Sequence, residues 1–361
     1  MACLINRRSA RVRNRLRSWV LIALTVVAAP ARSAEGPDKC RAPDGTQPFE
    51  FVAEQNQLRG FIDMPATSGA HPVVLILHGS GSTDVFHGSA AYNGQYEILR
   101  KTFRDAGFAT AVWDKAGNGC STGGYPHGNP IRERARETLA ALRALKQRSD
   151  IDAGRMGLWG ISQGGWIGPM VAVQTDDVDF LILVSAPARD AVSQLEYQAL
   201  TELRARGIPD AEVEVAAAHL RRAFAIMRAG GAVEEYVAAV VPLQKYPTLR
   251  DLGITVGTPE DYRKWQDTAD FHYRPDTALR ELDQPVLAIF GDQDALVNWR
   301  ESARIFRETF KDGGNRDLTI KVFKNADHNQ MTGASPHFVD GYLETMRAWL
   351  IRVGRAKGNG S

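Results

Sequence analysis

The chain has 361 residues, of which 44% are hydrophobic and 24% charged, as in globular proteins; this excludes a collagen-like or disordered chain. The formal charge of +2 is unevenly distributed, because residues 1–31 hold six arginines and no acid, which leaves 38 basic and 42 acidic residues in the remainder. A mildly acidic body without a basic stripe argues against nucleic acid as a partner.

Residues 1–34 are predicted to be a signal peptide. The arginine-rich start is followed by the apolar run Trp19–Ala29 and by small residues around Ala31 and Ala34, which suit cleavage. This run has eleven residues, whereas a membrane span needs about twenty. An uncleaved anchor is the alternative. We expect export to the periplasm or the medium, with no stable membrane association after cleavage.

Cysteines are few. Cys3 lies in the leader, which leaves Cys40 and Cys120 in the mature protein. In an exported protein two cysteines can form one disulfide, but the sequence leaves open whether they meet. Neither the cysteines nor the histidines have the spacing of a structural zinc site.

After a loose lead-in at 35–48, apolar strands alternate with helices, which is typical of a doubly wound, mostly parallel sheet. The predicted strands lie at 49–52, 58–62, 72–77, 108–114, 155–159 and 180–184. Helices are predicted at 92–106, 130–147 and 164–174. The first two strands suit an antiparallel hairpin. Residues 35–187 are therefore the first part of an α/β core.

The alternation stops at residues 188–282, where no apolar strand is found. Helical patterns rich in Ala, Glu and Arg occupy 192–206, 210–228 and 232–241. Because a crossover of about ninety residues is unusually long, this segment is predicted to be an inserted helical cap. The core resumes over 283–361, with strands at 285–290 and 318–323 and helices at 298–310 and 337–351.

The motif Gly-Ile-Ser-Gln-Gly at 160–164 lies between a predicted strand and a predicted helix. A serine between two such glycines is the nucleophile elbow of serine hydrolases, and it makes Ser162 the candidate nucleophile. The alternative is a glycine-rich turn with an incidental serine.

An activated serine needs a base and an acid that orients the base, and both are expected beyond the last two strands. Asp292 and Asp294 follow the strand at 285–290, and His328 follows the strand at 318–323. His328 is the candidate base; either aspartate can be the acid at this point.

Negative charge on the substrate oxygen needs fixed donors. The backbone N–H of Gln163 is one candidate, at a helix N-terminus. The second is the N–H of Ser80, with Gly81 as the alternative, in the His-Gly-Ser-Gly segment at 78–81. A plain tight turn is the competing interpretation of that segment.

With these motifs the chain resembles the α/β-hydrolase superfamily, in particular bacterial serine esterases and dienelactone-hydrolase or prolyl-oligopeptidase-like enzymes. The resemblance covers roughly residues 49–352 apart from the cap, and it includes segments 78–81, 114–121 and 160–166. It implies Asp294 as the acid, because the family's aspartate lies three residues after the glycine, with Asp292 as the fallback. It also implies an arginine where this chain has Ala116, a departure that concerns the stability of the loop.

The sequence thus predicts an exported serine hydrolase of carboxylic esters, with Ser162, His328 and Asp294 as triad and Ser80 and Gln163 as oxyanion donors. This chemistry requires no metal or organic cofactor. Two alternatives stay open: a serine exopeptidase or amidase for short peptides, and a binding protein on a hydrolase scaffold. The partner is a small ester or short peptide, whose identity and acyl length the sequence leaves open, as it does the oligomeric state.

Overall fold

The computed structural model describes residues 39–87, 94–124, 131–251, 258–260, 262–263, 272–333 and 337–358. The predicted signal peptide lies outside these residues. Among the helices that the structure describes, none combines the length and the apolar composition that a bilayer span requires.

Eight strands form one sheet in the order β1-β2-β4-β3-β5-β6-β7-β8. The strands are β1 (Gln47–Ala53), β2 (Asn56–Asp63), β3 (His71–Leu77), β4 (Ala109–Trp113), β5 (Ile151–Ile161), β6 (Phe180–Val184), β7 (Val286–Gly291) and β8 (Leu318–Phe323). β1 is antiparallel to β2 and β2 to β4, and all later neighbours are parallel. The predicted hairpin and the mostly parallel sheet are therefore confirmed.

Helices cover both faces of the sheet. They are α1 (Gln95–Asp105), α2 (Ile131–Lys146), α3 (Gly164–Ala172), α4 (Ala191–Ala205), α5 (Asp210–Arg228), α6 (Val233–Val240), α7 (Pro247–Asp251), α8 (Pro275–Glu281), α9 (Trp299–Gly313) and α10 (Tyr342–Gly358). Alternate residues of β3 belong to two apolar clusters, one on each face of the sheet. Leu75 lies in the cluster that includes residues of α2, α3 and α9. Ile76 lies in the cluster that includes residues of α1 and α10. Burial on both faces explains why β3 is apolar at nearly every position.

The described residues between β6 and β7 form helices joined by turns and loops, and they contain no strand. Helices α4 to α6 lie within two residues of the predicted 192–206, 210–228 and 232–241. Their apolar faces form a cluster of their own, which includes Leu203, Leu220 and Val240. The boundaries of the cap at 188 and 282 stay a prediction.

The end of the chain differs from its prediction. The last helix begins at Tyr342, after Gly341 with φ of +81°, and not at His337. His337 and Phe338 pair instead with Met331–Thr332 as a two-stranded antiparallel ribbon. Helical periodicity continues through this segment, but the pairing after β8 satisfies its backbone groups in another way.

Cys40 and Cys120, whose pairing the sequence left open, form a disulfide with a Cα–Cα distance of 5.7 Å. It joins the lead-in to the loop after β4, across a separation of 80 residues.

Candidate active site

Ser162 lies at the turn between β5 and α3. Its φ is +55°, which non-glycine residues adopt rarely, and its N–H donates to the carbonyl of Val184 on β6 at 3.0 Å. A Cβ on Gly160 would overlap with the carbonyl of Gly164, and one on Gly164 would overlap with the carbonyl of Leu77. Both flanking glycines are therefore required by close packing of the turn.

Asp294 and His328 lie in the loops that follow β7 and β8. The Nδ1 of His328 is 2.9 and 3.0 Å from the two carboxylate oxygens of Asp294. The same carboxylate is buried and accepts the N–H groups of Leu296 and Val297, both at 2.9 Å. These bonds hold the carboxylate in place, so that it orients the imidazole from a fixed position.

Asp292, the fallback acid, has different partners. Its carboxylate accepts the backbone N–H of Asn325 at 2.7 Å and the side-chain amide of Gln293 at 3.0 Å. It therefore links the loops after β7 and β8, whereas Asp294 is the aspartate that contacts His328.

Strand order places Ser162, Asp294 and His328 at one edge, because β5, β6, β7 and β8 are parallel neighbours. Ser185, the first residue after β6, lies between them with φ of +46°. Its Oγ donates to the carbonyl of His328 at 2.7 Å and accepts from Nε2 of Gln330 at 3.0 Å. Sequence reasoning missed Ser185; the available signal was a hydroxyl residue directly after a buried strand.

The segment 78–81, which holds Ser80, follows β3, the neighbour of β5 on the other side. A Cβ built on Gly79 would lie 3.4 Å from the Cβ of Ser162, so this loop passes directly beside the serine. Gln163 is buried at the N-terminus of α3, where the helix dipole favours negative charge. Ser80 follows Gly79 in this loop and Gln163 follows Ser162, and their roles as oxyanion donors stay predictions.

Two buried cations, Lys115 and Arg134, lie behind that loop. Lys115 donates to the carbonyls of Gly79 and Gly81, at 2.7 and 2.6 Å. Arg134, on α2, donates to the carbonyl of Gly79 at 3.2 Å and to Oε1 of Gln163 at 2.6 Å. Sequence reasoning assigned no role to Lys115, although it lies in segment 114–121, and an arginine within a helix 28 positions before Ser162 carries no local signal.

Burial, with the charges of Lys115 and Arg134, holds the pKa of His78 well below its ordinary value, so this imidazole is neutral. It packs against Tyr96 at 4.6 Å between ring centroids. His78 therefore packs at the start of the loop without adding charge to it.

The loop after β4, where this chain has Ala116 in place of the expected arginine, is held by buried carboxylates. Glu137 accepts the N–H of Ala116 at 3.0 Å, and Asp114 accepts those of Val85 and Cys120 at 2.8 and 2.9 Å. Burial raises the pKa of Glu137, and it raises that of Asp114 to about 6.

A cavity of about 360 Å³ opens beside the segment 78–81. Its lining includes Ser80, Phe61, Phe86, Tyr96 and Arg100. Its wall is mixed, with aromatic rings next to charged groups, as in many small-molecule sites. Within the described residues no cluster of His, Cys, Asp and Glu is arranged to hold a metal ion.

A mostly parallel sheet, a serine on a strained strand-to-helix turn and a paired aspartate and histidine after later strands together define an α/β hydrolase. Residues 72–333 match the family model described as serine aminopeptidase, S33, and the chain belongs to this α/β-hydrolase family.

The characterised proteins that this chain resembles have low sequence identity to it. Esterase EstD of Thermotoga maritima is 23% identical over 300 residues, which are 81% of this chain and 63% of the esterase. The chain thus spans less than two thirds of that relative. A solved esterase from Pyrococcus furiosus superposes with a TM-score of 0.54 at 16% identity, covering 86% of this chain and 89% of that one. Est1E of Butyrivibrio proteoclasticus, solved with ferulic acid, gives 0.51 at 18%, covering 85% and 98%. At these identities, the structures show the fold alone.

Proposed function

We propose that this protein is a serine esterase in which Ser162 is the nucleophile, His328 the general base and Asp294 the residue that orients the base. The proposal depends chiefly on one observation, the contact of His328 with the buried Asp294 at the sheet edge that also holds Ser162. The similarity to EstD of T. maritima supports an ester as substrate.

In the first half-reaction, the Oγ of Ser162 attacks the ester carbonyl carbon and its proton passes to Nε2 of His328. The carbonyl π electrons move onto oxygen, and they return as the C–O bond to the alcohol breaks. The leaving alkoxide takes the proton from His328, which leaves an acyl group on Ser162. Asp294 accepts the Nδ1–H throughout and stabilises the imidazolium.

In the second half-reaction, water gives a proton to His328 and attacks the acyl carbon. The tetrahedral intermediate collapses, the Oγ of Ser162 recovers the proton, and the carboxylic acid leaves. In both halves the N–H groups of Ser80 and Gln163 bind the oxyanion. Removal of one such donor typically costs about 10²–10³ in rate.

The test is the variant Ser162→Ala, assayed with p-nitrophenyl esters of two to twelve acyl carbons, together with labelling by a fluorophosphonate probe. Loss of the nucleophile should lower kcat by about 10⁴- to 10⁶-fold and abolish labelling. Ser149→Ala, at an exposed serine before β5, is the matched control and should keep both. Robust hydrolysis of the esters by Ser162→Ala would contradict the proposal. A wild-type protein that neither reacts with the fluorophosphonate nor hydrolyses the esters would support a binding protein instead.

Hydrolysis of short peptides is the second candidate, favoured by the description of the family as serine aminopeptidases. The same triad can cleave an amide. Comparison of kcat/KM for p-nitrophenyl esters with that for aminoacyl p-nitroanilides distinguishes the two, since a peptidase should cleave the anilides with comparable efficiency.

Export is part of the proposal. The Cys40–Cys120 disulfide supports it, because disulfides persist in oxidising compartments outside the cytosol. Cell fractionation and the intact mass of the purified protein test it. We expect a periplasmic or secreted chain that lacks residues 1–34 or a few fewer; a full-length cytosolic chain would contradict it.

A further inference from the structure

The two buried cations behind the loop at 78–81 have no role in the mechanism above. We propose that Arg134 is a positioning residue that holds both oxyanion donors in register with Ser162, and that Lys115 acts with it on the Ser80 side. This inference rests on the proposed esterase function and extends it to residues that do not touch substrate.

Arg134 connects the two halves of the oxyanion site. One of its guanidinium nitrogens, Nη1, contacts both Oε1 of Gln163 at 2.6 Å and the carbonyl of Gly79 at 3.2 Å. Gln163 carries one donor N–H in its own backbone, and Gly79 precedes Ser80, which carries the other. A single rigid group therefore sets the distance between two loops that belong to different strands.

The geometry of the peptide unit converts this contact into an orientation. In a planar trans peptide, the carbonyl and the following N–H point in opposite directions. Because Lys115 and Arg134 both bind the carbonyl of Gly79, the N–H of Ser80 points away from the cations. Gly79 lies directly beside Ser162, and the proposal places the N–H of Ser80 on the side where the oxyanion forms.

Lys115 clamps the other end of the same turn. It binds the carbonyl of Gly81 at 2.6 Å as well as that of Gly79, one on each side of Ser80. A hydrogen bond accepted by a peptide carbonyl polarises the unit and strengthens its N–H as a donor. The two bonds from Lys115 therefore both orient Ser80 and improve its hydrogen bond to the developing anion.

The charge of the cluster also favours an oxyanion. Lys115 and Arg134 are buried. Burial raises the pKa of the neighbouring Glu137, whereas the charges of Arg134 and Lys115 lower it. Burial and the charge of Arg134 hold the pKa of Lys115 well below that of an exposed lysine. The guanidinium of Arg134 therefore supplies fixed positive charge on this side of the site, and Lys115 adds N–H donors. The stabilising effect of these groups increases as charge develops in the transition state, so they act on kcat more than on KM.

The experiment compares Arg134→Met, Arg134→Lys and Lys115→Met with Arg136→Met as matched control. Arg136 lies on the same helix but is exposed and pairs with Glu54 and Glu133. Rates with p-nitrophenyl butyrate are expressed per active site titrated with the fluorophosphonate. Arg134→Met should lower kcat about 10- to 100-fold with KM within about threefold. Arg134→Lys should recover part of the loss, Lys115→Met should lose about tenfold, and Arg136→Met should stay within twofold.

A transition-state mimic separates positioning from general damage to the fold. 1,1,1-Trifluoro-4-phenylbutan-2-one forms a hemiketal with the serine whose oxyanion occupies the site. The Ki of this ketone should rise in Arg134→Met by the same factor by which kcat/KM falls. General damage to the fold would not produce this equality when both quantities are expressed per titrated active site. An unchanged kcat or Ki in Arg134→Met would overturn the inference. If that variant does not fold, unchanged kcat in Arg134→Lys and Lys115→Met overturns it equally. An inactive, unlabelled wild type would overturn the esterase proposal itself.

Discussion

Ser185 links the loop that carries His328 to the end of β6. Its replacement by alanine tests whether this link positions the imidazole of His328. Its hydroxyl is fully buried and makes two hydrogen bonds, to the carbonyl of His328 and from the amide of Gln330. At about 1 kcal/mol for each bond, Ser185→Ala should lower the free energy of unfolding by about 2 kcal/mol. Release of the His328 carbonyl should also misplace the imidazole and lower kcat by about tenfold.

Urea unfolding gives the stability, and turnover of p-nitrophenyl butyrate well below the melting temperature gives kcat. The matched control is Ser302→Ala on α9, a buried serine whose Oγ accepts the N–H of Ala188 at 3.2 Å. It should lose about 1 kcal/mol with kcat unchanged. If Ser185→Ala keeps the wild-type kcat, or if both variants lose kcat equally, Ser185 does not position His328.

Two further predictions concern the loop after β4. The Cys40–Cys120 disulfide closes a loop of 80 residues, and its reduction should lower the free energy of unfolding by up to about 4 kcal/mol. The Cys40→Ser/Cys120→Ser variant should show the same loss. A wild-type stability that does not change on addition of reductant would contradict this prediction. The pKa of Asp114, raised by burial to about 6 in the folded state, lies above its unfolded value of about 3.9. Its stabilising contribution is therefore complete below pH 4 and lost as pH rises to 6. Urea unfolding should show wild-type stability falling relative to Asp114→Asn across this window, and a relative rise would refute the assignment.

Much of the fold follows from local pattern. The parallel strands β3, β6 and β7 were predicted because burial on both faces demands a continuous apolar run, and the run at 180–184 matches β6 at both ends. Ser162 stood out for a similar reason, since a strained turn packed against two backbones admits only glycine at 160 and 164. These are requirements of near neighbours, and the sequence displays them directly.

The start of the last helix was not predictable in this way. Residues 337–338 have a helical pattern with the residues that follow, yet they pair with Met331–Thr332, a segment outside the window that helical periodicity examines. The sequence likewise offered two aspartates for His328, and the partnership with Asp294 became visible only where the loops after β7 and β8 meet.

The sequence by itself determined the alternation of strands and helices and the order of serine, aspartate and histidine, because apolar periodicity and turn chemistry act over a few residues. The tertiary structure alone decided that Arg134 reaches Gln163 and Gly79, that Ser185 holds the carbonyl of His328, and that Cys40 meets Cys120. These contacts join residues 29 to 143 positions apart. Their formation depends on which strands are neighbours in the sheet. Strand order is determined by packing of the whole core, and no single segment of the chain specifies it.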